Sequence, residues 1–252
     1  MDISIPDYQA IQANWHKEAI YPCEALYLCR RILDAEIDLC IECGSLNGYS
    51  SDIISKLTGV PVITLDFNGT LTYNSCYQMP KRGEVLSLKG DMHIALSHLL
   101  EHTSKACRRI CVFNDAAKGF EGLATLFKNA IKYQPALIAQ HNLHEGHKSR
   151  EVFKGISRDL PVFLEDDFSN ITDYYHSDIA HFSKNQLNRQ LYPTSLGVLD
   201  EYSISSMNIT RKLLKSFGPY SPMLLNGDPS AKPYIVKSCK LLDKIFFNSS
   251  YR

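Results

Sequence analysis

The stretch Asp38-Leu-Cys-Ile-Glu42-Cys-Gly44-Ser-Leu-Asn-Gly48-Tyr-Ser50 decides the architecture of this chain. A short apolar strand ends in a carboxylate, Glu42, and a tight loop with two glycines leads into a helix. Twenty-four residues after Glu42 a second apolar strand, from Val62 to Leu65, ends in Asp66. A strand, a glycine loop, a helix and a second strand closed by an acid form the cradle of a nucleotide-type cofactor at the carboxyl edge of a parallel sheet.

The pattern continues outward from this unit. Upstream, residues 1 to 21 read as a short helix or arm carrying Trp15. Pro22 suits a first helical position, and Ala25, Leu26, Cys29, Ile32 and Leu33 follow at helical spacing. Ser50 or Ser51 is the expected N-cap of the helix running to Leu57, and Gly59 ends it. Residues 67 to 83 carry no periodicity and read as a long loop. Val85 to Leu88 is a strand, Gly90-Asp91 turns into a helix from Met92 to His102, and Ile110 to Phe113 is a strand ending at Asn114-Asp115. A helix from about Glu121 to Lys132 precedes a strand from Ala136 to Ala139, which ends at Gln140-His141-Asn142. Strands alternating with helices at this spacing predict βαβ units and a parallel sheet. Further strands are expected at Val162 to Leu164 and Ser195 to Leu199, and helices over 206–217 and 234–247.

Composition limits the partners. The 252 residues are 44% apolar, enough for a large core. With 27 basic and 27 acidic residues the net charge is zero, which argues against a nucleic-acid partner held by phosphate neutralisation. No apolar run is long enough for a membrane span, and the N-terminus lacks the pattern of a signal peptide. A cytoplasmic protein with eight reduced cysteines is expected. Cys40 and Cys43, three apart on a strand, should face opposite sides of the sheet as small buried hydrophobes.

The loop has its own chemistry. Glycines at 44 and 48 let backbone approach a ligand closely, and the helix after them offers unpaired N–H groups and a positive dipole end. Asp66 can accept both hydroxyls of a ribose. Glu42 adds a negative charge that suits a cationic ligand better than a pyrophosphate. The dinucleotide pattern G-x-G-x-x-G is missing, since Leu46 and Tyr49 stand where its later glycines belong, and a phosphate-loop lysine is missing too.

Glu42-Cys-Gly44-Ser-Leu-Asn-Gly48 resembles motif I of class I S-adenosylmethionine-dependent methyltransferases, with Leu46 in place of the middle glycine. Asp66 resembles their ribose-binding acid, Gly90-Asp91-Met92 their adenine-contacting turn, and the segment from Val112 to Gly119 the acid followed by Lys-Gly of small-molecule O-methyltransferases. The resemblance spans residues 38 to 142. It implies a doubly wound, Rossmann-like α/β fold whose seven-stranded, mostly parallel sheet has the order 3-2-1-4-5-7-6, strand 7 being antiparallel. It implies S-adenosyl-L-methionine bound by Glu42, Gly44, Ser45, Asn47, Gly48, Asp66, Phe67, Asp91, Met92 and Asn114. It implies chemistry at Asp115, Lys118 and His141. Metal-dependent members hold a divalent cation with an acid after strand 4 and an Asp-Asn pair after strand 5. Asp115 and Asn142 match two of these positions and His141 stands at the third, so Asp115, His141 and Asn142 are the candidate metal ligands. A rival role for His141 is general base. The row His141, His144, His147 lacks a cysteine or acid that would complete a zinc pattern.

The expected organisation is a helical arm over 1–36, a methyltransferase-like domain over 37–200 with an insertion at about 168–193, and a helical elaboration over 201–252. The expected activity is methylation of a small molecule, at oxygen, without nucleic-acid or membrane partners and with a homo-oligomer allowed. The tyrosine-rich segment 173–192 is a candidate substrate cover. Two other readings stay open: an oxidoreductase of Rossmann type using NAD(P), and a binding module that keeps the fold without catalysis.

Overall fold

Strand β1, Leu39–Cys43, is buried along its whole length, as an apolar run at the centre of a sheet covered on both faces must be. The computed structural model describes residues 5–13, 20–73, 78–116, 119–143, 150, 153, 196–201 and 204. In chain order these form α1 (Ile5–Ala13), α2 (Pro22–Asp34), β1, α3 (Tyr49–Thr58), β2 (Val62–Asp66), β3 (Leu71–Thr72), β4 (Val85–Lys89), α4 (Met92–Thr103), β5 (Ile110–Asn114), α5 (Gly119–Tyr133), β6 (Leu137–Gln140) and β7 (Gly197–Asp200). The seven strands lie in the order β3-β4-β2-β1-β5-β6-β7. All pair in parallel except β7, which runs antiparallel to β6 with Ile138 opposite Leu199.

This is the doubly wound sheet that the sequence leads one to expect. Counting β4 as third, β5 as fourth, β6 as fifth and β7 as seventh, the run reads 3-2-1-4-5-7. The strand expected at 162–164 lies outside the described residues, as do Trp15, Lys118, His144, His147, the segment 168–193 and the helices expected over 206–217 and 234–247. One strand was not expected. After Asp66 the chain turns back on itself, Gly69 N donating to Asp66 O at 3.2 Å and Thr70 Oγ1 to Ser87 O at 2.9 Å. Leu71–Thr72 then pairs with the free edge of β4. A two-residue strand is too short for any periodicity, so the loop expected over 67–83 concealed it.

Alternation along each strand divides the core in two. Leu39, Ile41 and Cys43 pack with Ile63, Val112 and residues of α4 and α5 on one face. Cys40, Val62, Cys111 and Phe113 pack with α2 and α3 on the other. Cys40 and Cys43 therefore point to opposite faces, both free and buried. No helix among the described residues is long and apolar enough to cross a membrane.

The helix starts place the polar groups. Pro22 opens α2, and Glu24 accepts the Tyr21 N–H through Oε2 at 3.0 Å. Asp91 caps α4, accepting from His93 N at 2.9 Å. The expected serine cap of α3 is corrected: its N-cap is Gly48, in the left-handed region at φ 75°, with no side chain closing the helix end. Ser50 and Ser51 fall inside the first turn and are buried, because Ser50 turns inward to Glu42.

The loops after β1 and β5 meet at Gly44. Asp115 N donates to Cys43 O at 2.8 Å, and Gly44 N to Leu65 O at 2.8 Å. Gly44 sits at φ 89°, and a Cβ there would stand 2.5 Å from Ala116 N. Gly44→Ala forces both a disfavoured backbone and a separation of the two loops, a loss of about 2 kcal/mol or more. Its melting temperature should fall by at least ~4 °C. A variant that unfolds at the wild-type temperature in a circular-dichroism melt would show that the two loops are not in contact.

Candidate functional site

Strand order β2-β1-β5 makes the carboxyl end of β1 the point where the sheet's winding reverses, and a crevice opens there in folds of this kind. The tips of β1, β2, β4, β5 and β6 deliver Glu42, Asp66, Asp91, Asp115 and His141 to this one edge.

Glu42 forms the floor. It is fully buried on the α3 side of the sheet. The Ser50 hydroxyl donates to Oε1, while Oε2 has no hydrogen bond from any described residue. Burial pushes the carboxyl pKa up to about 7. The hydroxyls of Ser50, Ser51 and Thr64 oppose the rise and the Asp115 charge adds to it. Burying a carboxyl with one oxygen unmatched among the described residues costs stability in the charged form.

The loop above it is a turn closed by Gly48 N on Ser45 O at 2.7 Å. Leu46 takes φ 47° and donates its N–H to Asp66 Oδ2 at 3.1 Å; Asp66 Oδ1 accepts from Asn68 N at 3.0 Å. Asn47 is exposed, and so is Phe67. Two expected residues have structural contacts of their own. Met92 belongs to the core. Asn114 is buried, donating to Gln140 Oε1 at 2.7 Å and accepting from Ala116 N at 3.2 Å.

The second half of the site gathers around His141. Its Nδ1 lies 2.7 Å from Asp115 Oδ1, and its Nε2 lies 3.1 Å from Glu24 Oε2. Asn142, at φ 63°, is one of the few residue types at ease in the left-handed region. That turn brings its amide back to Asp115 Oδ1 at 3.1 Å and His141 Nδ1 at 3.1 Å. Burial pushes the imidazole pKa down, but the Asp115 and Glu24 carboxylates outweigh it and raise it to about 10. The general-base role expected for His141 therefore conflicts with its surroundings. Both ring nitrogens face carboxylates, which favours the protonated ring.

Glu24 is the residue that sequence reasoning missed. It lies 117 residues from His141 and is fully buried. Its signal was a lone carboxylate within the apolar run from Cys23 to Cys29, at the third position of a helix opened by Pro22.

Among the described residues no three His, Cys, Asp or Glu side chains converge to hold a metal ion. Glu24 reaches the far nitrogen of the ring, so it does not join Asp115. What converges is a mixed set of Asp115, His141 and the Asn142 amide. A separate open hollow, lined by Leu100, Cys107, Arg108, Tyr133 and Pro135, lies by Ile110 at the opposite edge of the sheet.

Comparisons with known proteins add little beyond this geometry. No family model and no curated protein matches the chain. Among solved structures it is similar to an O-methyltransferase from Bacillus cereus in complex with SAH, at 14% identity over 79% of this chain and 93% of that one, with a TM-score of 0.39. It is also similar to a putative O-methyltransferase from Klebsiella pneumoniae, at 12% identity over 65% and 83% of the two chains with a TM-score of 0.36. A third is a TDP-rhamnose 3'-O-methyltransferase of calicheamicin biosynthesis, at 10% identity over 79% and 96% with a TM-score of 0.40. At these identities and TM-scores the likenesses carry no weight for function, and the fold stands on its own strand order and register.

The Glu42 carboxyl makes a prediction with a definite sign. Its pKa is higher in the folded chain, about 7 against an ordinary 4.5. Ionisation therefore costs stability, and the loss builds as pH rises from 4.5 through 7. Glu42→Gln removes the cost, on the order of 2–3 kcal/mol. The variant should melt higher than the parent at pH 8 and lose this advantage near pH 4.5. A variant that melts lower than the parent at pH 8 would show that the ionised carboxylate does not cost the fold stability.

Proposed function

We propose that this protein is an S-adenosylmethionine-dependent methyltransferase that acts on a hydroxyl of a small molecule. The observation that carries this reading is the buried Glu42, whose Oε2 meets no hydrogen-bond partner among the described residues, set beneath the Gly44–Gly48 loop at the winding reversal. A carboxylate in that place attracts a ligand bearing an ammonium and a sulfonium. It repels the pyrophosphate of NAD(P), which removes the main support for an oxidoreductase.

Each remaining group has a role on this reading. Glu42 receives the ligand's ammonium. The open first turn of α3 offers its N–H groups to the ligand's carboxylate, since no side chain caps it. Asp66 accepts the ribose hydroxyls, and the exposed Phe67 beside it covers the base. When bound, S-adenosylmethionine supplies an electrophilic methyl group. The protein holds the acceptor oxygen in line with it and keeps water away. Asp115, at the tip of β5, faces the acceptor and can take its proton.

A divalent cation fits the donors beside it. Asp115 Oδ1, His141 Nδ1 and the Asn142 amide stand 2.7, 3.1 and 3.1 Å from one another. Ligands at right angles on a six-coordinate cation stand ~3 Å apart, given bonds of about 2.1 Å. Such an ion would bind the acceptor oxygen and lower its pKa. Binding a cation there would require Nδ1 to be free of a proton.

Calorimetry with S-adenosylhomocysteine tests the reading. Micromolar binding is expected for the parent, and a loss of at least ~10-fold for Asp66→Ala, which removes the ribose acceptor. Absence of binding to the parent, or equal binding to both, would overturn the assignment. Binding with no methyl transfer to any hydroxylated acceptor would instead favour a non-catalytic module.

A further inference from the structure

Glu24 does two things with one atom. Its Oε2 accepts the Tyr21 N–H at 3.0 Å, closing the start of α2, and faces His141 Nε2 at 3.1 Å. Both contacts are made by a fully buried carboxylate on a helix packed into the sheet. A carboxylate oxygen in that position can only accept, so it requires a hydrogen on Nε2. When the ring is neutral, its lone pair is therefore confined to Nδ1. That nitrogen is one corner of the triangle with Asp115 Oδ1 and the Asn142 amide. The amide's oxygen and nitrogen ends exchange by rotation, so the oxygen can occupy the third corner. The three ligand types are then carboxylate, imidazole and amide oxygen.

We propose that Glu24 and His141 make this a site for a nitrogen-accepting, six-coordinate first-row cation, of the Fe2+, Co2+ or Ni2+ kind, in preference to Mg2+. His141 is the ligand that sets the choice, because imidazole favours such cations while Mg2+ prefers oxygen. Glu24 is a positioning residue that acts through His141 by fixing which nitrogen faces the ion. The inference rests on the proposed function for the role of the strand-tip site, but cation binding can be read without turnover.

The test uses the full chain stripped of metal and titrated separately with Co2+ and Mg2+, followed by calorimetry and by the visible spectrum of bound Co2+. The parent should bind Co2+ at least ~10-fold more tightly than Mg2+, with absorption showing a nitrogen ligand. In Glu24→Leu no acceptor holds the hydrogen on Nε2, so the lone pair is no longer confined to Nδ1. Co2+ affinity should fall by about 10–100-fold while Mg2+ binding changes little. His141→Asp, at a loop position, should bring Mg2+ level with Co2+ or ahead of it. Should Glu24→Leu fail to fold, His141→Asp decides. Equal affinity of the parent for the two ions, no cation binding, or unchanged Co2+ preference in His141→Asp would each overturn the inference. S-adenosylhomocysteine titrated into the same sample separates the two failures. Adenosyl binding without cation preference overturns only the metal inference, and cation preference without adenosyl binding overturns only the methyltransferase reading.

Discussion

The backbone contact at Gly44 is the constraint on which the site depends. The loops after β1 and β5 belong to the two halves of a doubly wound sheet, and parallel pairing of Cys43 with Asn114 sets them side by side without bringing them into contact. They meet because position 44 has no side chain and accepts φ 89°, so that the Asp115–Ala116 backbone can lie against it. The bond from Asp115 N to Cys43 O holds the contact in register, while Gly44 N bonds to Leu65 O and ties the same loop to β2. The consequence is chemical. One loop leads from the Glu42 floor into the open end of α3, and the other carries Asp115 toward His141. A close approach of two backbones thus joins a binding half and a reacting half.

Two buried glutamates show how surroundings decide what a carboxylate is for. Glu24 and Glu42 are both fully buried. Glu24 is matched by the Tyr21 N–H and the His141 ring and reads as a finished structural element. Glu42 has one hydroxyl on one oxygen and no described hydrogen bond on the other. Burying an unmatched carboxyl costs stability, and the rise of its pKa to about 7 is the same cost expressed as a proton. On the proposed reading, a fold that tolerates this cost at the floor of the site gains a receptor for positive charge.

The fold was legible wherever the chain repeated a local rule. Apolar runs ending in Glu42, Asp66, Asn114 and Gln140 predicted central strands, and parallel pairing followed from their alternation with helices. The antiparallel β7 beside β6 appears as the resemblance implied. Legibility failed where tertiary contacts decide. Ser50 looks like a cap in sequence because serines favour that position, yet the buried Glu42 competes for its hydroxyl and Gly48 takes the cap. Leu71–Thr72 joins the sheet only because β4 has a free edge. Asn114 and Met92 stand at the expected places, but the core and Gln140 absorb their side chains. Glu24 could not have been placed at all, since its meeting with His141 depends on how α2 lies on the sheet.

Leu46 shows how a departure from a motif is accommodated. A glycine is expected there, and the observed φ of 47° explains why, since the turn needs the left-handed region. A leucine in that conformation costs roughly 1–2 kcal/mol. Its N–H bond to Asp66 Oδ2 offsets part of the cost and ties the loop over β1 to the tip of β2. The same bond engages an oxygen that a ribose would use, so an adenosyl ligand must compete with or share it. The side chain itself stays half out in solvent, as does that of Phe67. The turn is thus held by its backbone, through the Asp66 carboxylate, and not by burial of the leucine that replaces the glycine.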